Sequence, residues 1–548
     1  MKIISRPRLF LWLIPLAVVL LYAPFLDNPA VFDDLYMFLD NAATLRNNAA
    51  HFNPLDLREL PYATLGWTYE WLGSQTLMPF RLGNMLLHVA VGLALYRFLW
   101  LLYREVLGVE AFLQLNCNWL AGFAALLFVL HPVAVYAVAY LVQRTILFAT
   151  LFSLLSLWSY LQGLVRGNAK VWLCASVFFY AAAVLSKEHA IALPLLMLAL
   201  TVLLRVPSRE LWRSLWWVYA LCAVVALYVV LAVKGVLGTP YEIYAPGMLE
   251  GVQPKYAYLL SILTQTTLFF KYVGLWLLPN PLWMSVDMRE PFASGFFGWH
   301  LVGGLAYLGV GGGAIFLLFK RGSLGLLGLA ILFPWALFVT EFSTIRIQEI
   351  FVLYRSYLWM PGIFIALSLA FARVPEARRL PYAALLLVVL LPATWERLHV
   401  FSHKLLLWDD AVRLVEGKER LPGVWRIYYN RGIAFQRAGS QQEALADYLK
   451  AVELSPGEKN AHYAVGQMQD LLGHHDLAMQ AFDKVIKIDP NFAKAYHGRG
   501  LIYSKQLHDW KLARDNFQIG CGLGWEASCK QLATIKKASP DGVYHQSP

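Results

Sequence analysis

The chain is poor in the features that announce a metal, a nucleotide or a disulfide framework. Its 548 residues contain no Cys-x-x-Cys, and His51, His88, His131 and His189 are scattered without ligand spacing, so the sequence requires no metal and no dissociable cofactor. A glycine-rich phosphate loop is also missing. Gly309, Gly311, Gly312 and Gly313 fall inside an apolar run, where they let helices approach closely instead of cradling a nucleotide. Of the five cysteines, Cys117, Cys174 and Cys222 lie in or beside apolar runs, which leaves only Cys521 and Cys529 as a pair that could bridge. The N-terminus has the basic flank and apolar stretch of a signal peptide but lacks the small-residue cleavage pattern, so it reads as an uncleaved first span.

What the sequence has in excess is apolar surface. Hydrophobic residues make up 59% of the chain, with 20 tryptophans and a mean hydropathy of +0.51, where soluble domains run at about 45 to 50%. Eleven apolar stretches have roughly the length that a hydrocarbon core of about 30 Å demands: 9–26, 82–103, 118–136, 145–164, 170–186, 189–204, 214–234, 298–319, 323–340, 357–372 and 380–396. Lys2/Arg6/Arg8, Arg97/Arg104, Arg166/Lys170, Arg205/Arg209/Arg213, Lys320/Arg321 and Arg373/Arg378/Arg379 all fall on one side of this arrangement. That distribution accounts for the net charge of +11 as cytoplasmic loops, not as a nucleic-acid surface. The N-terminus is then cytoplasmic and the C-terminal part extracytoplasmic. One condition attaches: Tyr256 to Leu278 must be re-entrant or interfacial, because a further crossing would invert every later loop.

After residue 400 the pattern changes to charged, alanine-rich soluble helices. Gly432, Gly466 and Gly500 recur every 34 residues, in phase with Ala444 and Ala478, Tyr448 and Phe482, and Pro456 and Pro490. This is the signature of tetratricopeptide repeats. Ala513 and Phe517 supply a third copy with one extra residue, and Cys521 to Leu532 reads as a closing helix. Three units are about the minimum that stacks stably. The expected architecture is all-α: a polytopic membrane body over 1–400, a linker helix over 401–424 and a repeat domain, an α-solenoid, over 425–538.

The polar residues of the membrane body gather beside the extracytoplasmic ends of its spans. Directly after the first span, Asn28 to Asn41 carries the adjacent carboxylates Asp33 and Asp34. Adjacent carboxylates rarely ionise independently, so one of them, partly desolvated, could accept a proton while the other orients it or binds a substrate. Asn84 and His88 face inward from the second span; His131 precedes Pro132, and Gln143-Arg144 follows Tyr140; Lys187-Glu188-His189 lies between two apolar helices; Glu349, Arg355 and Tyr357 open a late span. Charged groups at membrane depth are expensive and are functional candidates for that reason. His131 is expected to cap the loop before Pro132.

In this order, Asp33-Asp34, Asn84 to His88, Leu130-His131-Pro132 to Arg144, Ser186-Lys187-Glu188, Arg355-Ser356-Tyr357 and then the repeats, the chain resembles the transmembrane-and-tetratricopeptide O-mannosyltransferases and their bacterial relatives. The resemblance covers nearly the whole chain and implies a GT-C glycosyltransferase body in a bacterial inner membrane. It also implies an extracytoplasmic, periplasmic site, a polyprenyl-phosphate-linked sugar donor, and an acidic pair serving as base and acceptor-binding group. Arg144, Lys187 and Arg355 are then expected to clamp the lipid phosphate, Arg with a bidentate fork, with Glu188, His131, Asn84, His88, Glu349 and Tyr357 in support. The repeats would hold a protein acceptor or partner. Transfer to lipid A or a cell-surface glycan, and a non-catalytic scaffold or flippase, are the alternatives. Two positions depart from the family pattern: Leu353-Tyr354-Arg355 stands where Glu-His-Arg is usual, and Arg81 where a histidine is usual.

Overall fold

The computed structural model describes residues 9–35, 37–38, 42–73, 76–108, 116–167, 169–233, 235, 238–240, 252–347 and 349–538. Lys2, Arg6, Arg8 and Asn41 lie outside them. Apart from two isolated bridges, Pro240 with Ile345 and Met288 with Phe351, the regular structure of the described residues is helical. The chain divides into two compact units, Met1–Leu407 and Trp408–Pro548. The division falls inside the stretch read from sequence as a linker helix.

The longer helices of the first unit are α1 (Leu9–Tyr22), α2 (Ala42–Ala50), α3 (Glu59–Leu72), α4 (Met78–Leu107), α5 (Cys117–Val129), α6 (Arg144–Val165), α7 (Lys170–Ser186), α8 (Leu193–Leu204), α9 (Arg209–Ala232), α10 (Pro254–Leu277), α11 (Trp299–Phe319), α12 (Gly322–Phe338), α13 (Ile363–Ala372) and α14 (Glu376–Val400). Among the described residues, six helical segments are long and apolar enough to cross a bilayer, or seven if the bent pair Cys117–Val129 and Pro132–Val138 counts as one. Four shorter apolar helices, Leu9–Phe25, Lys170–Ser186, Glu188–Leu204 and Met360–Ala372, account for the rest of the eleven stretches. The shortfall has a local cause. The stretch 118–136 bends by 52° where Pro132 cannot continue the α5 hydrogen-bond ladder. The stretches 189–204 and 357–372 both open with 3₁₀ turns, at Glu188–Ala192 and Leu353–Tyr357. The segment expected to be re-entrant or interfacial contains no break: α10 runs unbroken for 24 residues.

Burial separates two kinds of helix. Every residue of α5 is buried, making it the centre of the body, whereas α9, α11 and α14 turn Leu231, Phe316 and Val388 outward at 61%, 62% and 64% exposure. Such apolar faces are a liability in water and at ease in hydrocarbon.

The second unit begins within α15 (Lys404–Val415) and continues as α16 (Val424–Ala438), α17 (Gln441–Leu454), α18 (Lys459–Leu471), α19 (His475–Ile488), α20 (Ala493–Lys505), α21 (Trp510–Gly522) and α22 (Glu526–Ala538). The glycines read from the 34-residue period are where paired helices touch. A Cβ on Gly432 would lie 2.6 Å from the Tyr448 ring, on Gly466 2.6 Å from Phe482, and on Gly500 2.7 Å from Phe517. Ala444, Ala478 and Ala513 are fully buried beside those rings. The closing helix starts later than expected. Cys521 belongs to the end of α21, Gly524 turns the chain at φ +87°, and α22 follows. A disulfide joins Cys521 to Cys529 across that turn, with the Cα atoms 4.7 Å apart.

Candidate functional site

The acidic pair sits on a loop that the protein holds from several sides. After α1 and a 3₁₀ turn at Ala23–Phe25, the chain reaches Phe32, whose φ of +50° lies in the left-handed region. A bulky residue there is strained and persists only where its surroundings over-determine it. Arg81, buried near the start of α4, supplies much of that hold. Its guanidinium donates to the carbonyls of Asn28 (2.9 Å), Ala139 (2.6 Å) and Pro29 (2.5 Å). The Asn28 amide in turn donates to Leu398 O at 3.2 Å.

The two carboxylates then part company. Asp34 is fully buried, and its oxygens accept from the backbone N–H groups of Leu141 (3.2 Å) and Val142 (3.0 Å). These amides open the 3₁₀ turn that leads into α6, so Asp34 satisfies orphan donors at a helix start. Burial pushes its pKa up to about 7 against the pull of Arg81 and those amides. Asp33 is exposed, and its Oδ2 accepts from the Tyr140 hydroxyl at 2.8 Å. The carboxylate with the raised pKa is therefore the enclosed one, and the accessible carboxylate is Asp33.

One face of α4 braces the irregular segment between α5 and α6. Asn84 donates to Val138 O (3.2 Å) and Leu141 O (3.4 Å) and accepts from Arg144 Nε at 2.8 Å. One turn on, His88 Nε2 faces Val129 O at 2.9 Å and must donate; Nδ1 is then the acceptor of the Tyr357 hydroxyl at 2.6 Å. Arg144 also donates to Phe80 O (2.7 Å) and Thr64 Oγ1 (3.3 Å), and a Cβ on Gly83 would collide with its guanidinium at 2.6 Å. Buried and engaged through all three nitrogens, Arg144 ties α3 and α4 to the start of α6 and presents no open face to a ligand. His131 caps the turn after it, Nδ1 accepting from Val133 N at 3.3 Å, and stacks on Trp276 with centroids 4.4 Å apart.

The other two expected cations meet in a charged cluster. Arg355, buried, donates to Glu341 Oε2 at 3.2 Å and to Glu349 Oε2 at 2.9 Å. Glu341, with no exposed surface, also faces His189 Nε2 at 3.1 Å and Arg346 Nε at 3.6 Å. His189 Nδ1 is 3.6 Å from Glu188, which pairs with Arg58 at 3.0 Å. Lys187 is the odd member. It is 8% exposed, and among the described residues its ammonium has no hydrogen-bond or ion-pair partner. Burial, and then the charge of Arg58, push its pKa down to about 8, so it is charged at neutral pH. Arg58, Lys187, Arg346 and Arg355 face Glu188, Glu341 and Glu349, which leaves the cluster one positive charge in excess.

The cluster and the acidic loop adjoin. Tyr62 on α3 hydrogen-bonds Arg58 and feels the charges of Asp33 and Glu188. On the other side the Tyr140 ring meets Tyr354 edge-on at 6.0 Å, and Arg355 lies 5.9 Å from the centre of the Tyr354 ring. Arg58, Glu341, Arg346 and Tyr140 complete the site, and sequence reasoning assigned none of them a role. Glu341 and Arg346 follow an apolar run directly, a signal that could have found them. Arg58 stands in an ordinary polar loop; its left-handed φ of +62° is visible only in three dimensions.

Comparison with known proteins bears on the second unit. Residues 407–459 and 429–491 match the tetratricopeptide repeat family. Over 85 residues the chain is 33% identical to Hsp70-Hsp90 organizing protein 2 of Arabidopsis thaliana, a match that covers 15% of this chain and 15% of that protein. The crystal structure of MamA aligns with 31% of this chain and 90% of its own, at 22% identity and a TM-score of 0.20. The C-terminal region carries tetratricopeptide repeats.

Proposed function

We propose that the chain is an integral-membrane glycosyltransferase of the GT-C type. It would move a sugar from a polyprenyl-phosphate-linked donor to a hydroxyl of an extracytoplasmic acceptor, most directly a protein serine or threonine. The observation that carries this reading is an exposed carboxylate, Asp33, beside a buried cluster in which Lys187 makes no hydrogen bond or ion pair among the described residues. An unpaired charge at such a depth is costly to maintain, and a lipid phosphodiester, carrying one negative charge, would offset it. Asp33 takes the proton of the acceptor hydroxyl as its oxygen bonds to the anomeric carbon. The bond from that carbon to the phosphate oxygen breaks, and the polyprenyl phosphate leaves with the electron pair. Lys187, with Arg355 behind it, stabilises the charge that develops on the leaving oxygen. Attack opposite the phosphate inverts the anomeric centre.

Arg144 and Asp34 are positioning residues in this account, since both are enclosed and engaged by the protein. The Cys521–Cys529 disulfide supports an oxidising, periplasmic setting for the repeats, in line with the distribution of basic loops. Repeats of this type present extended concave surfaces, and the likeness to an Hsp70-Hsp90 organizing protein supports a protein partner over a glycan. The test is intact-mass analysis of secreted proteins from cells producing the full chain or its Asp33→Asn variant. Loss of a hexose-sized increment in the variant, by about a hundredfold or more in rate, is expected. An unchanged protein profile with altered lipid A would move the acceptor to the lipid, and transfer undiminished in Asp33→Asn would remove the base.

A further inference from the structure

Three successive residues, Tyr140, Leu141 and Val142, contact both carboxylates of the acidic pair. The amides of Leu141 and Val142 hold Asp34. The Tyr140 hydroxyl donates to Asp33 Oδ2 at 2.8 Å while accepting from the Asp33 backbone N–H at 3.3 Å. Tyr140 is itself tightly seated, 6% exposed, between Phe32 at 5.8 Å and Tyr354 at 6.0 Å. A phenol so placed has few rotamers to lose and points its one donor in a fixed direction. Asp33 is exposed, and its side chain has no second partner among the described residues.

We infer that Tyr140 is a positioning residue that holds one oxygen of Asp33 and thereby aims the other at the incoming acceptor hydroxyl. The inference rests on the reading of Asp33 as general base. Tyr140 keeps its own proton throughout. Burial, followed by the charges of Asp33 and Asp34, holds the phenol well above its ordinary titration range, so it acts only as a donor. A hydrogen bond donated to a carboxylate favours the ionised form, which is the form a base must have before it can take a proton. Tyr140 would thus set both the direction and the readiness of Asp33. A purely structural tyrosine pinning the Phe32 turn would do neither.

Two substitutions at position 140 separate these roles because they push the donor in opposite directions. Tyr140→Phe keeps the ring and removes the hydroxyl; 3-fluorotyrosine at 140 keeps the shape and makes the phenol a stronger donor. The full chain is reconstituted in proteoliposomes with the polyprenyl lipid extract of the producing cells, and the rate of sugar gain by secreted acceptor proteins is followed against pH. The rate falls on the acid side when the base becomes protonated. Tyr140→Phe should move that acid limb upward and cost about tenfold to a hundredfold in rate below it, the worth of a hydrogen bond to a charged group. The fluorinated chain should move the limb downward. If Tyr140→Phe does not fold, the nearly isosteric fluorotyrosine carries the test alone. A limb that stays in place in the folded variants, or moves the same way in both, overturns the inference. Asp33→Asn run alongside keeps the two ideas apart: full activity there removes the base itself, whereas inactivity with an immobile limb in the Tyr140 variants removes only the positioning role.

Discussion

The repeat unit and the apolar body are both built of helices, yet they bring their residues together over very different distances along the chain. In the repeats a glycine meets a ring on the next helix three times over, at Gly432 with Tyr448, Gly466 with Phe482 and Gly500 with Phe517. In the body the decisive bonds join residues far apart in sequence: His88 to Tyr357 across 269 positions, Thr394 to Leu130 across 264, Asn28 to Leu398 across 370. A structure made of near-neighbour contacts can lose one and keep the rest. A structure closed by a few long-range polar bonds depends on each of them, because a buried partner left alone keeps its desolvation cost.

Arg144 tests that dependence most severely. Replacing it with methionine strands the acceptors on Asn84, Thr64 and Phe80 and should cost the body roughly 3 kcal/mol. The melting temperature of the detergent-solubilised body should fall while the repeats melt where they did before. A body that melts normally and loses only ligand affinity would return Arg144 to the phosphate clamp.

Lys187 is expected to behave in the opposite way. Among the described residues its ammonium makes no hydrogen bond or ion pair, although its charge helps to keep Glu188 ionised, so Lys187→Met should change stability little and weaken binding of a farnesyl phosphate probe by about tenfold to a hundredfold. The affinity of the unmodified chain should also depend on pH with a definite sign. Only the protonated ammonium attracts the phosphate, and its pKa is about 8, so the affinity that Lys187 contributes declines as the pH rises through that value. Titration calorimetry at several pH values reads both effects, and an equal affinity in Lys187→Met would exclude this lysine as the anion site.

The contrast between near and distant contacts also explains what could be read from sequence. The repeat period exposes Gly432, Gly466 and Gly500, because a contact repeated in each unit leaves a local periodicity, while Gly498 and Gly520, which also pack closely against neighbouring side chains, fall outside it. In the body, the sequence marks Arg144, Lys187 and Arg355 as costly charges, but their partners come from elsewhere in the chain. Arg144 meets a carbonyl 64 positions away and Lys187 meets none, and no pattern around either residue distinguishes the two outcomes. The acidic pair was legible as a pair. Its division into an enclosed Asp34 and an open Asp33 depends on Tyr140, Leu141 and Val142, which the bend at Pro132 brings underneath. The bend itself was foreshadowed by His131-Pro132, yet the apolar residues on both sides read as one uninterrupted span.

Within the repeats, smaller and strictly local effects should follow. The Cys521–Cys529 bridge closes a short loop, and Cys529→Ser should cost about 2 kcal/mol. Hydrogen exchange should show the loss confined to α22 and the end of α21, with α16 to α19 protected as before. Loss of protection spreading to α16 would show that the repeats are more cooperative than their nearest-neighbour contacts suggest.

The smallest effect comes from Gly466→Ala, and its sign is set by two opposing terms. Alanine in place of a mid-helix glycine favours the helix by about 1 kcal/mol. The new methyl group, however, would stand 2.6 Å from the Phe482 ring, and overpacking of that kind costs about 1 to 3 kcal/mol. Net destabilisation by about 1 kcal/mol is expected, because Phe482 is buried between neighbouring helices and has little room to retreat. If contact with the ring is the cause, trimming the ring should reverse the sign. In a Phe482→Leu background the methyl group no longer collides, and the helix term alone should make Gly466→Ala stabilising. A double-mutant cycle on the thermal unfolding of the repeats measures this directly. A coupling near zero would mean that the glycine period reflects backbone freedom and not the close helix approach that distinguishes this unit from the body.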